Sequence, residues 1–384
     1  MARITTQKVK DLLREGKKVI EIARAYDLTR QAIYCHINKI KTPEKPKPQF
    51  SKPRKDYNSL IDWKVYNEGL VKRGEILLDF ELLGDWDEQL RVANQDKTGR
   101  PFQYPDCLIE FLARLKCAFK IDYRTLEGIG RKLIVLIPHC KNAPDYTTLQ
   151  VRFSDLKVEL EVYQEGNAPC DVAGDSSGLK TSNRGEYRMN KYRGKRKGYI
   201  KLHIAVNIAS SQVMSCSVTL EKVTDHKEMG KLVNEAEKYG QIKKGLFDAG
   251  YDCQDNYGDL TKRGIKAVIR PRKTMSLEKV NQKIEEAKHQ EGFVQGEISG
   301  RLIRLETLKE YLTDENRWKE QNGYGQRWKS EGRFSVFKRV FGEYLFSKKI
   351  QNQTNEAILK VSMMNLFTTY TIGAFNKGAM MAVN

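Results

Sequence analysis

The chain has few of the residues from which metal clusters, disulfide scaffolds and membrane spans are built. Only five of its 384 residues are histidine and seven are cysteine. The cysteines, at positions 35, 107, 117, 140, 170, 216 and 253, are odd in number and never spaced C-x-x-C. That scatter argues against a structural zinc site and for reduced, buried thiols, so any metal here must be held by carboxylates. Apolar runs of the ~18 or more residues needed to span a bilayer are missing. The most apolar stretch of the tail, 361-VSMMNLFTTYTIGAF-375, is broken by Asn365 and several threonines and reads as a buried helix. The N-terminus is too polar for a secretory signal, so a cytoplasmic location without a membrane partner is expected. Acidic residues are scarce beside basic ones: 49 Asp and Glu against 68 Lys and Arg leave +19. Such an excess points to a polyanionic partner, and nucleic acid fits better than a membrane surface.

A chain of this length predicts two or three domains. Residues 1–42 alternate helix and break. The segment 5-TTQKVKDLLREGKK-18 opens on a capping threonine and puts Val9, Leu12 and Leu13 on one face. The segments 19-VIEIARAYDL-28 and 29-TRQAIYCHINKI-40 are short helices joined by a tight connection, as in a helix-turn-helix. Ile33 and Ile37 then pack inward, while Arg30, Gln31 and Tyr34 face outward toward base edges and phosphates. An ordinary small helical bundle is the plainer alternative. Residues 43–58 are rich in proline and lysine and predict an extended basic linker. From 59 to 165 the pattern is helical in short pieces, a region expected to contact DNA or to dimerise.

After residue 168 the period changes. The segment 170-CDVAGDSSG-178 reads as a strand running into a glycine-containing turn. In 199-YIKLHIAVNIA-209, Ile200, Leu202, Ile204, Val206 and Ile208 alternate with Lys201, His203 and Asn207, the signature of a half-buried strand. A third strand, 212–220, follows across the turn Ser210-Ser211. A helix over 225–240, a strand ending at Asp248, a helix over 254–264 and a strand over 265–271 complete the series. Three hairpin-linked strands, then helix, strand, helix and strand, predict an RNase H-like mixed five-stranded sheet flanked by helices, over 166–375, with 376–384 as a tail.

That order makes a site. If the first and fourth strands are parallel neighbours, Asp175 and Asp248 leave the sheet side by side. Further on, Tyr324, Arg327, Glu331 and Lys338 recur at helical spacing within 324-YGQRWKSEGRFSVFKRVFGE-343, beside an apolar stripe of Phe334, Phe337, Val340 and Phe341. A helix so patterned can lie across the sheet and deliver Glu331 to the same edge. Clustered carboxylates repel one another unless a cation neutralises them, and hard oxygen donors suit Mg2+ or Mn2+. Asp171 and Asp252 are neighbouring acids set aside in favour of Asp175 and Asp248. His203 and His226 are candidate accessory residues. The run 191-KYRGKRKGYIK-201 offers Lys191, Arg193, Lys195, Arg196 and Lys197 to a DNA backbone.

Three blocks together resemble the DDE class of insertion-sequence transposases: 175–210, 247-FDAGYD-252, and the pattern Y-x-x-R-x-x-x-E-x-x-x-x-x-x-K at Tyr324, Arg327, Glu331 and Lys338. The resemblance covers roughly 60–375. It implies an RNase H-like core that cuts the ends of a mobile element and joins them to target DNA. It further implies Asp175, Asp248 and Glu331 as catalytic residues and ligands of two divalent ions, with Tyr324, Arg327 and Lys338 on DNA phosphates. Double-stranded DNA, a homodimer on paired ends and no small-molecule substrate follow from the same likeness. Two other readings are a catalytically inactive DNA-binding descendant and a stand-alone RNase H-type nuclease. Some relatives carry a large β-domain between the second and third acids; here residues 249–330 look helical.

Overall fold

The alternation in 199–209 becomes the second strand of a five-stranded sheet in the computed structural model, which describes residues 4–41, 61–137, 142–163, 169–181, 199–290 and 300–372. The strands are β1 (Cys170–Lys180), β2 (Tyr199–Asn207), β3 (Val213–Leu220), β4 (Ile242–Phe247) and β5 (Lys266–Ile269). Their order is β3-β2-β1-β4-β5. β2 is antiparallel to both β1 and β3, whereas β4 lies parallel to β1 and β5 parallel to β4. This is the expected RNase H-like mixed sheet.

The chain divides into two compact units, Met1–Asn58 and Ser59–Asn384. In the first, α1 (Thr6–Arg14), α2 (Val19–Ala25) and α3 (Arg30–Lys41) enclose Val9, Leu12, Ile22, Ala23 and Ile33. Thr5 caps α1 by accepting from Lys8 N, and Thr29 Oγ1 accepts from Ala32 N at 3.3 Å to start α3. Arg30, Gln31 and Tyr34 are exposed. The linker 43–58 and the tail 376–384 lie outside the described residues.

In the second unit, α4 (Trp63–Glu75), α5 (Trp86–Asn94), α6 (Asp106–Phe119), α7 (Tyr123–Leu133) and α8 (Tyr146–Asp155) precede the sheet. α9 (Met229–Glu237) and α10 (Gln254–Lys262) interleave with it. α11 (Leu277–Gln290), α12 (Gly300–Thr313), α13 (Glu315–Gln321), α14 (Trp328–Phe341) and α15 (Ile350–Ile372) follow. Among the described residues, the stretch between the second and third acids adds only helices and β5.

Both faces of the sheet are covered. Leu179, Ile200, Leu202, Ile204 and Val206 pack against Phe334, Phe337 and Phe341 of α14 and Met363, Met364 and Phe367 of α15. On the reverse, Val172, Ala205 and Met214 meet Met229, Leu232 and Val233 of α9 and Tyr257 and Leu260 of α10. The face of β2 read as polar is therefore also interior: His203 and Asn207 are buried.

Residues 59–165 share their core with the sheet. Leu108, Ile109, Phe111, Leu112 and Leu115 make α6 apolar nearly all round, and a helix of that kind must be enclosed by others. α15 supplies much of the enclosure. Its Asn365 also satisfies the exposed backbone of edge strand β3, accepting from Val213 N at 2.8 Å and donating to Val213 O at 2.8 Å.

Three local expectations fail for identifiable reasons. Gly174-Asp175-Ser176 is not a turn, because β1 stays paired to β2 through Lys180. The β2–β3 link is longer than Ser210-Ser211, and Ser211 adopts φ 60° where Asn207 Oδ1 accepts from Ala209 N and Ser210 N. Tyr324–Arg327 forms a separate 3-10 turn, so Tyr324 is not on the helix that carries Glu331.

Gly69 of α4 lies against α15 so closely that a Cβ would sit 2.3 Å from the Tyr370 carbonyl oxygen, whereas one on Gly74 of the same helix meets nothing within 4 Å. Gly69→Ala should therefore cost about 1–3 kcal/mol, and Gly74→Ala should add about 0.5–1 kcal/mol, in urea denaturation of the full chain. Equal midpoints for the two variants would contradict this seam.

Candidate active site

Asp175 and Asp248 are placed by strand register. Ala173 of β1 pairs with Leu246 of β4, and each aspartate lies two residues further along its own strand. Parallel neighbours advance together, so the carboxylates reach the same sheet edge on adjacent strands. β4 stops there because Asp248 Oδ1 accepts from Gly250 N at 2.8 Å, capping a 3-10 turn over Ala249–Tyr251. Arg272 latches that turn, donating from Nε to Ala249 O at 2.7 Å. Asp252 is occupied elsewhere: buried, it takes both a guanidinium fork from Arg304 at 2.7 Å and the backbone N–H of Arg272 at 2.9 Å. Asp171 pairs with Lys244 at 3.1 Å. The two set-aside acids thus have structural partners.

Glu331 arrives in the first turn of α14, whose phenylalanines anchor the helix across β1 and β2. Its connection to the aspartates is Arg327. One guanidinium nitrogen stands 3.4 Å from Asp175 Oδ2 and another is hydrogen-bonded to Glu331 Oε1. Arg327 was expected on a phosphate; here it bridges two of the three acids.

Tyr324 departs further from expectation. Its ring is buried in an aromatic stack, 5.3 Å from Trp318, which in turn lies 5.2 Å from Tyr311. Its hydroxyl donates to the carbonyl of Phe247, the residue before Asp248, at 3.3 Å. A ring so enclosed cannot stack on DNA; it pins the strand end that presents Asp248. Lys338 lies two turns beyond Glu331 on α14 and stands 3.8 Å from Glu343 Oε1.

Electrostatically the edge is short of positive charge. Burial pushes the Asp175 carboxyl up to about 6; Asp248 and Glu331 add to the rise, while the Ser176 N–H and Arg327 oppose it. Among the described residues no group of three acidic, thiol or imidazole side chains is close enough to hold an ion as the side chains now stand. The donor set nonetheless fits a hard divalent cation: oxygen ligands only, partly desolvated, and mutually repelling.

Asp225 is the residue that sequence reasoning passed over. A Cβ on Gly250 would lie 2.9 Å from Asp248 Oδ1 and 3.2 Å from Asp225 Oδ2, so these carboxylates flank the same glycine. The available signal was directional: β3 runs parallel to β1, so a residue just past its end reaches the Asp175 edge. Lys201 donates to Asp225 Oδ1 at 3.0 Å. His203 is fully buried, with Nε2 2.8 Å from Thr219 Oγ1 and Nδ1 3.9 Å from Asp225. Burial lowers its pKa and keeps it neutral. His226 lies half-buried in the turn Asp225–Lys227. Lys191, Arg193, Lys195, Arg196 and Lys197 fall outside the described residues.

A family model described as a transposase DDE domain matches residues 166–366, more than half of the chain, and a second model of the same description matches 71–184. The chain belongs to the DDE transposase family. The second match crosses the helical region into β1, in keeping with the shared core. Among solved structures, a chain of the Drosophila P element transposase strand transfer complex aligns at 11% identity, covering 77% of this chain and 87% of that one, with TM-score 0.29. The Mos1 mariner paired end complex with Mn aligns at 10% identity, over 82% and 95%, with TM-score 0.19. The simian T-cell lymphotropic virus intasome in complex with PP2A regulatory subunit B56 gamma aligns at 15%, over 51% and 67%, with TM-score 0.20. Scores this low carry no argument; the fold of this transposase rests on its own strand order. Among the described residues, no helix is long and apolar enough to cross a membrane.

Asp175 binds its proton more tightly folded than unfolded, so in metal-free transposase it lowers stability as pH rises from about 3.8 through about 6. Asp175→Asn should raise the stability of the metal-free protein at pH 7 by on the order of 1 kcal/mol. Mg2+ should raise the Tm of the parent and leave that of the variant unchanged. An unchanged Mg2+ response in the variant contradicts the assignment.

Proposed function

We propose that this transposase binds the terminal inverted repeats of an insertion sequence, cleaves phosphodiester bonds at the element ends and joins the 3'-OH ends to target DNA. The observation that carries the reading is the convergence at one sheet edge: Asp175 beside Asp248 by register, and Glu331 tied to Asp175 through Arg327. Asp175, Asp248 and Glu331 would hold two divalent ions, Mg2+ or Mn2+. When bound, such ions supply Lewis acidity to the phosphate and neutralise charge on the attacking and leaving oxygens.

The other residues divide into grip and support. Arg327 now occupies the space between two carboxylates; once those acids are neutralised, its fork is free for a phosphate at the element end. Lys338, farther along the same helix, contributes a point charge. Tyr324 acts as a positioning residue for Asp248 through the Phe247 carbonyl. Arg30, Gln31 and Tyr34 project from α3 for sequence reading, and the basic run 191–197 supplies backbone charge, in line with the net +19. Double-stranded DNA is the partner, with a homodimer acting on paired ends, in the cytoplasm. His203 serves as a buried structural residue, and His226 remains a candidate accessory one.

With DNA carrying the inverted repeats that flank the gene, Asp248→Ala should bind with parental affinity and leave the DNA uncut in Mg2+; equal cleavage overturns the proposal. Tyr324→Phe separates positioning from phosphate contact. It should keep end affinity within about twofold and slow cleavage, whereas Lys338→Ala should weaken binding and reduce the salt slope by about one unit, both read by gel shift across a salt series.

A further inference from the structure

A buried charge imbalance lies away from the carboxylate edge. Glu356 of α15 is fully buried and accepts from Phe346 N at 3.1 Å, Ser347 N at 2.9 Å and Lys360 Nζ at 2.8 Å. Lys360 is buried with it, and a third charged residue, Lys116 of α6, is 1% exposed. Lys116 Nζ stands 3.6 Å from Glu356 Oε2 and makes no hydrogen bond. Two ammonium groups thus share one carboxylate whose oxygens are already engaged. Lys116 Nζ also faces two aromatic rings, Tyr123 at 5.0 Å and Phe346 at 5.6 Å from the ring centres. An uncompensated buried cation is costly and favours an anion nearby.

Lys116 lines a cleft of about 490 Å3 that has the means to accept one. Tyr123, Tyr146 and Phe346 give it aromatic walls, and Arg124, Lys348 and Lys349 give it exposed cations. Asn352 Oδ1, also lining it, is buried without a partner, while the same amide donates to Tyr123 Oη and Gln150 O at 3.0 Å. The one acid in the lining, Asp122, is engaged in capping α7 through Arg124 N and Thr125 N. None of Asp175, Asp248 and Glu331 lines the cleft.

We propose that this cleft binds a nucleoside phosphate. Flat walls suit a base, the cations suit its phosphate, and an unpaired acceptor suits an exocyclic amino group. The volume falls within the range of small-molecule pockets and is far too small for a duplex. The ligand is either a free nucleotide or an unpaired nucleotide at a DNA strand end; the second source rests on the transposase reading, the first does not.

Calorimetric titration of the full chain at low salt tests this with deoxyadenosine monophosphate, deoxycytidine monophosphate, deoxyadenosine and inorganic phosphate. A parallel arm compares a duplex bearing a phosphorylated single-stranded 5' overhang with the blunt duplex. Saturable binding of a monophosphate, about tenfold tighter than nucleoside or phosphate alone, is expected. Preference for the overhang with no monophosphate binding supports the cleft with DNA as the source. Tyr146→Ala and Lys349→Glu alter exposed side chains, so each should keep the parental Tm and weaken binding about tenfold. Lys116→Met removes the surplus charge and should weaken binding without loss of stability. No saturable binding in either arm, or binding indifferent to both surface variants, overturns the proposal. Asp248→Ala should bind the monophosphate as the parent does. Nucleotide binding without end cleavage in the parent would sink the transposase chemistry and leave the cleft standing; cleavage with no saturable binding in either arm would sink the cleft alone.

Discussion

Carboxylates brought to one sheet edge repel one another unless a cation lies among them, and the second unit is organised around that constraint. Parallel pairing of β1 and β4 puts two aspartates on adjacent strands, and α14 adds a glutamate. Arg327 stands between two of these acids, yet Asp175 remains pushed up to about 6, chiefly because burial penalises its charge and to a lesser degree because Asp248 and Glu331 lie near it. The edge is built to attract more positive charge, which suits both divalent ions and a reaction on phosphate.

Holding such an edge requires rigid support that carries no unpaired charge of its own. The turn after Asp248 is fixed by Arg272, which is ordered in turn by Asp252 and through it by Arg304. From the other side the Tyr311–Trp318–Tyr324 stack delivers a hydroxyl to the Phe247 carbonyl. The Tyr324 hydroxyl bond is buried and the Arg304–Asp252 fork partly so, and bonds of that kind rigidify more than surface ion pairs do. The Lys116–Glu356–Lys360 cluster breaks that rule, and the imbalance is what distinguishes its cleft from a structural ion pair.

Much of this was legible in the chain. The period-two alternation of 199–209 identified β2 and one of its two buried faces because strand side chains alternate strictly. The segment order 170–271 gave the sheet type, since crossover rules leave few topologies for it. Asp248 could be picked out because it closes an apolar run, whereas Asp175 was preferred over Asp171 for a Gly-Asp-Ser turn that does not form. What misled was local chemistry overridden by tertiary pairing: Gly174 and Ser176 suggest a turn, but β2 holds β1 straight through them. Tyr324 keeps helical spacing with Glu331, yet Gly323 at φ 62° starts a 3-10 turn that rotates it into the interior.

The sequence by itself determined the sheet, the three short N-terminal helices, the basic balance and the placing of Asp175 and Asp248 on neighbouring strands, because periodicity, composition and spacing are properties of the chain alone. Only the tertiary structure decided that Arg327 stands between Asp175 and Glu331, that Tyr324 is buried with its hydroxyl on the Phe247 carbonyl, and that Asp225 joins the edge. It also decided that residues 59–165 belong to the sheet's core and leave a surplus ammonium beneath a cleft. Those outcomes depend on which side chains share a desolvated space, and no linear spacing encodes that for residues tens to hundreds of positions apart.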